Sequence, residues 1–367
     1  MASIAKSRAG KPIPWLFSAR VDLWTFLGSA VLAFALLALG IPFGWLHADT
    51  PEWAWIVTIL LIDVAHVYST GFRVYFDRAE LRRRPWLYGL TPLLAFGIGW
   101  AVYSESVAGF WRTLAYLAVF HFIRQQYGWV ALYRSRGGET SRIGWWIDAG
   151  AIYLATIYPL VYWHTHLPRQ FWWFREGDFA LLAFDLATLL APVYWGALAA
   201  YTARAIYRAL YKAEYSPGKD IVVFTTALCW HVGIITLNSD YAFTVTNVII
   251  HGIPYMVLVY WYRWRNEAHS RVAGQQVTLS RLAKFLGVIW LLAYLEELLW
   301  DSGIWHERAW LSGAGFFDLG FLHPLGQIEG LETTLVPLLA VPQITHYVLD
   351  GFIWRRRSNR RFSAMVR

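Results

Sequence analysis

Ten stretches of this chain are each close to twenty residues long and almost wholly apolar, and they fix the solvent it folds in. They run approximately over 22–45, 52–75, 86–107, 109–133, 143–163, 179–203, 220–238, 241–262, 282–300 and 332–354. A helix rising about 1.5 Å per residue needs about 20 apolar residues to cross the hydrocarbon of a bilayer. Within that layer every backbone N–H and C=O must find a partner in the protein, which only helices and closed barrels achieve. None of the ten alternates apolar and polar residues as a barrel strand does, so each reads as a helix. The expectation is an all-α, polytopic integral membrane bundle of about ten transmembrane helices. The first segment follows Lys6, Arg8, Lys11 and Arg20 but has no small-residue cleavage site, and it reads as a retained helix.

The cations test this division. With the N-terminus in the cytoplasm, 27 of the 32 Lys and Arg fall on inner connections and ends. Arg112, Arg169, Arg175 and Arg308 are outside, and Arg124 alone lies within a span. That bias is what the positive-inside rule expects of ten helices with both termini cytoplasmic, in a cell inner membrane. The net charge of +8 therefore reports topology and calls for no nucleic acid. The chain divides into a basic arm over 1–21, one transmembrane domain over 22–354 and a basic tail over 355–367. At 57% hydrophobic and 15% charged residues, intrinsic disorder is excluded. A single cysteine, Cys229, excludes a disulfide scaffold and covalent c-type haem. Two outer connections carry aromatic runs, FWWF at 171–174 and GFFDLGF at 315–321, expected to lie along the membrane interface.

In such a background the informative residues are the ionisable ones inside the spans, because each costs at least a few kcal/mol there. Five helices each carry one histidine: His66, His121, His231, His251 and His346. Counted from the nearest inner cation, His66 lies roughly 10 Å deep, His346 roughly 13 Å, and the other three roughly 18 Å. Five imidazoles thus share one slab of the bilayer and are read as converging metal ligands. Asp63 stands three residues before His66, and Asp350 four after His346, so each carboxylate shares a helix face with its histidine. Either aspartate would serve as an oxygen ligand or as the acceptor that orients an imidazole. Asn247, His251 and Tyr255 make another stripe, and Arg124 and Gln125 follow His121. Arg124, Gln125 and Tyr255 are the expected catalytic or substrate-orienting groups. His231 has the poorest polar surroundings of the five.

No Walker A sequence, GxSxG or HExxH occurs, and the clustered histidine boxes of membrane di-iron desaturases are missing. Over a few residues, the pair His121–Phe122 and the singly placed histidines resemble the bacterial carotene-cleaving membrane oxygenases, and no residue role is carried over from them. The leading expectation is a membrane metalloenzyme. Non-haem iron is the expected metal, with copper, zinc or haem b as alternatives. Its substrate would be a lipid-soluble molecule (isoprenoid, carotenoid or acyl chain) reached from the bilayer, with an electron donor as further partner. The oligomeric state is left open. Two other classes compete: a b-type haem protein passing electrons to quinone, and a proton-coupled transporter using Asp63, His66, Arg124 and Asp350. The second lacks the paired halves that usually mark alternating access.

Overall fold

Each of the ten apolar segments folds as a helix. The computed structural model describes residues 14–212, 215–268, 279–312, 330–356, 359, 362 and 363. Most of the basic arm, the aromatic run at 315–321 and much of the basic tail lie outside the described residues. In chain order the helices are α1 (Ala19–Phe43), α2 (Glu52–Arg73), α3 (Arg78–Arg83), α4 (Pro85–Glu105), α5 (Val107–Arg136), α6 (Arg142–Thr165), α7 (Leu186–Tyr211), α8 (Pro217–Thr236), α9 (Asp240–Ala268), α10 (Leu279–Trp300) and α11 (Glu332–Ile353). No strand occurs among the described residues.

Seven of these helices are long and apolar enough to cross a membrane: α1, α2, α4, α7, α8, α9 and α11. The other three long ones, α5, α6 and α10, are diluted by polar and indole-bearing residues such as Arg124, Gln125, Trp145 and Glu296. Large apolar side chains face outward with no protein cover; Leu93 is 67% exposed and Leu189 70%. Water would penalise such a surface, and a bilayer does not.

Local chemistry sets the helix ends. Ser141 caps α6 by accepting from the Gly144 amide at 3.0 Å, and Asp77 caps α3 by accepting from Ala79 and Glu80. Asp185 caps α7 through the Thr188 amide, 3.0 Å away. The sixth apolar segment therefore becomes helical only at Leu186, not at 179: once the Asp185 side chain is spent on a cap, the residues before it turn away. Proline begins α4 and α8, where a missing N–H costs nothing.

The chain falls into two compact units, Met1–Ala54, Val119–Pro254 and Arg356–Arg367 in one, and Trp55–Ala118 and Tyr255–Arg355 in the other. Helices α5 and α9 contribute to both.

In the first unit α6 packs on α7 and α8, and the start of α1 packs on α8. Trp163 is its aromatic centre, with Phe171, Phe179 and Phe243 rings 4.6, 4.5 and 5.2 Å away. Phe171, expected at the interface, is thus buried, while its neighbour Trp172 is exposed. At the other end of this unit Asp22, almost wholly buried, accepts from the Leu16 and Phe17 amides (2.7 and 2.9 Å) and from the Tyr133 hydroxyl (2.7 Å). Tyr133→Phe leaves Asp22 its backbone donors and is expected to cost about 1 kcal/mol. Asp22→Ala strands three buried donors and is expected to cost about 3 kcal/mol or more, read as the larger fall in melting temperature in detergent.

The same end holds a buried ion network. Asp148 is wholly inaccessible. It accepts from Arg204 at 2.7 Å, Lys219 at 2.9 Å and Arg134. Glu139, in the connection between α5 and α6, faces Arg134, Arg204, Arg208 and Lys219. Burial pushes the Glu139 carboxyl up, but Lys219, Arg208 and Arg204 outweigh it and hold the group below its ordinary range. The end of α5, the start of α6, the end of α7 and the start of α8 are thereby tied at one level.

In the second unit α10 and α11 both pack on α2, and α11 also lies along α4. Within α2 the backbone widens to a π-helical run over Ile56–Val64 that ends just before His66, a distortion of the kind often found at functional sites. Helix α11 is interrupted at Ala340, between Pro337 and Pro342. Arg73 closes this unit at the end of α2. Fully buried, it donates to the Ile353 carbonyl at 2.8 Å, pairs with Glu80 at 3.3 Å and lies over the Tyr262 and Trp354 rings.

Candidate metal centre

Helices α2 and α11 bring two of the expected ligands together in the second unit. His66 and His346 are each only 1% exposed, and their rings meet at 4.9 Å between centroids, nearly perpendicular at 83°. Asp63 Oδ1 lies 3.5 Å from His66 Nδ1 across one helical turn. His346 Nδ1 is 2.7 Å from the Thr70 hydroxyl, which is itself 3.2 Å from the Tyr255 hydroxyl. The Tyr255 ring stands 5.0 Å from His346 and 5.8 Å from His66, and its hydroxyl also faces Asp350. The Thr70 hydroxyl beside Nδ1 fixes the orientation of the His346 ring. Asp63, His66, Tyr255, His346 and Asp350 therefore gather in one polar pocket of an otherwise apolar unit.

The helical spacing accounts for this. His66 and Thr70 are four residues apart on α2, as are His346 and Asp350 on α11, so each helix presents one polar stripe.

The first unit holds a second pair. His121 on α5 and His251 on α9 are 3% and 0% exposed, with ring centroids 5.0 Å apart and planes at 84°. Phe122 stacks flat on His251 at 3.4 Å. Gln125 donates from Nε2 to the His251 carbonyl at 2.8 Å. His231 stands elsewhere in this unit, beginning a π-helical turn, with its ring against Tyr194 and Trp195 and Nδ1 3.4 Å from the Tyr194 hydroxyl. Arg124 is exposed on α5; it donates to the Tyr153 hydroxyl and lies over the Tyr127 ring.

Three features escaped the sequence. Thr70 carries no charge and looks like any helix-tolerated hydroxyl until it is seen against His346. Arg73 was counted among the inner surface cations, yet it is buried beside Trp354. Glu296 stands on the last turns of α10. It is 4% exposed, faces Tyr68, and accepts from the Trp300 indole at 3.3 Å. The i, i+4 spacing of Glu296 and Trp300 was the available signal for the last.

No protein-family model, curated protein or solved structure matches this chain.

Proposed function

We propose that the chain is a multi-pass metalloenzyme of the cell inner membrane, with ten transmembrane helices, both termini in the cytoplasm, and a non-haem iron oxygenase or oxidoreductase activity toward a lipid-soluble substrate. The topology is supported by the way each unit collects its cations at one end. Arg134, Arg204, Arg208 and Lys219 meet in one network, as do Arg73 and Arg83 around Glu80. Each cluster draws on connections that the alternation of spans along the sequence assigns to the cytoplasm.

The observation that carries the functional reading is the buried His66–His346 pair with Asp63 at its edge. Two imidazoles and a carboxylate form the donor set of non-haem iron(II) oxygenases, so the residues present fit the metal. Copper or zinc would accept the same nitrogens. Bound there, iron would supply oxygen activation; the rest is the work of the protein. Thr70 orients the His346 imidazole through Nδ1, and Asp63 stands 3.5 Å from His66 Nδ1 as the carboxylate of the set. Tyr255, with Asp350 beside it, offers a hydroxyl proton next to the His346 ring. The surrounding apolar helices exclude water and admit an isoprenoid, carotenoid or acyl chain from the bilayer. Arg124 and Gln125 are the proposed substrate-orienting groups of α5, and an electron donor would act from outside the bundle. His231, stacked among Tyr194 and Trp195, is the least favoured ligand of the five.

Haem b suits this pair less well. Two axial imidazoles stand on opposite faces of a porphyrin, with their centroids more than about 6 Å apart given bonds of about 2 Å. The observed 4.9 Å edge-to-face contact leaves no plane for the macrocycle. Protein purified in detergent and loaded with ferrous iron without oxygen is expected to retain at least one iron per chain and to show no Soret band. A Soret band, or less than about one metal per chain, would overturn the reading.

A further inference from the structure

We infer that His121 and His251 hold a metal ion of their own, separate from the one assigned to His66 and His346, with the side-chain oxygens of Gln125 and Asn247 completing its shell. The inference rests on the reading above and settles how many ions the protein carries.

Two buried amides flank this pair of histidines. Gln125 follows His121 by four residues on α5, and Asn247 precedes His251 by four on α9, so each amide shares a helix face with its histidine. Both are buried, Gln125 at 7% exposure and Asn247 at 2%. Their NH₂ groups are spoken for: Gln125 Nε2 donates to the His251 carbonyl at 2.8 Å, and Asn247 Nδ2 to the Phe243 carbonyl at 2.9 Å and to Thr246 Oγ1. Turning either amide over would set oxygen against carbonyl oxygen, so these bonds fix which end of each is oxygen. The two oxygens left over, Gln125 Oε1 and Asn247 Oδ1, are buried and receive no hydrogen bond among the described residues.

A buried acceptor without a donor is costly, and two within a turn of two imidazoles is a pattern with a cause. A hydrogen-bond donor would satisfy one of them. A cation satisfies both, because amide oxygens and imidazole nitrogens are all lone-pair donors to a metal. Two nitrogens and two neutral oxygens suit a first-row divalent ion, and the absence of a charged ligand from this set makes it the weaker of the two sites. Phe122, flat against His251 at 3.4 Å, holds that ring in place and keeps water off one face.

One metal site and two differ in stoichiometry, and cobalt(II) reads it because its visible bands report the donor set. Metal-free protein in detergent micelles, titrated with cobalt(II), is expected to bind two ions per chain. His251→Ala should bind one and keep the spectrum of the His66–His346 site, and His346→Ala should bind one with the other spectrum. Asn247→Leu, close in size and without the oxygen, should weaken only the second equivalent, by about tenfold or more. Asn247→Asp, which adds a negative charge, should tighten it. A single cobalt per chain that is lost in both His251→Ala and His346→Ala overturns the inference and leaves the enzyme reading standing. An unchanged second equivalent in both Asn247 variants also overturns it. No cobalt in the wild-type chain overturns both together. Monodisperse elution and an unchanged helical circular dichroism spectrum qualify each variant for comparison.

Discussion

Replacing His346 by alanine is expected to abolish activity and to strip the iron assigned to His66 and His346, with metal affinity reduced by 100-fold or more. The magnitude follows from what the ring does. It is 1% exposed and supplies one of the two imidazole nitrogens at the pair. His66→Ala should match it. Thr70→Val separates ligation from orientation. Valine keeps the bulk but removes the hydroxyl 2.7 Å from His346 Nδ1, so the ring loses the bond that holds its tautomer. Affinity should then fall by about 10- to 100-fold while the metal's spectrum stays close to wild type, and Thr70→Ser should restore it. Tyr255→Phe keeps the ring and both histidines, and is expected to lower turnover without changing iron content. The measurements are metal content per chain and turnover on a lipid-soluble substrate. If His346→Ala retains full iron, the pair is a hydrogen-bonded packing contact and the enzyme reading falls with it.

The helices were readable in the sequence because a bilayer leaves the backbone no other choice. Length and apolarity located all ten, and the largest displacement falls on the sixth segment, read as 179–203 but helical over Leu186–Tyr211, where Asp185 is spent on capping α7. The histidines were readable too, since polar residues in an apolar span stand out singly. Their pairing was not. Periodicity says which residues share a face of one helix and nothing about which face meets which. Hence His66 found His346, and His251 found His121, while His231, at a similar estimated depth, met Tyr194 and Trp195 instead. One uncharged partner was hidden for another reason: Thr70 is ordinary in a membrane helix, and only position gives it a role. Arg73 was hidden by its place in the sequence. At the end of a span a cation is presumed to snorkel to water, yet two aromatic faces and a backbone carbonyl let this one stay inside.

The second large effect is expected in stability and lies far from any histidine. Asp148→Leu leaves Arg204, Lys219 and Arg134 without their most buried carboxylate, and Lys219→Met leaves Asp148 short of one cation. Breaking a buried pair from one side costs about 3–5 kcal/mol, because the surviving charge stays desolvated. Removing both partners exchanges that charge pair for apolar contact. The double variant should therefore lose no more than the worse single one, rather than the sum. The network also sets an acid limit. The folded Glu139 carboxyl is held below its ordinary value, so it stabilises the fold at pH above the unfolded value of about 4.3. That contribution is lost as pH falls through the folded value, and melting temperature should drop more steeply below pH about 4.3 in wild type than in Glu139→Gln. Thermal unfolding in detergent across pH reads both effects. Additive losses in the Asp148–Lys219 double variant would show that the two charges act independently, and identical acid profiles for wild type and Glu139→Gln would remove Glu139 as the titrating group. Since α5, α6, α7 and α8 each have one end in this network, the same variants read how far it secures the four helices together.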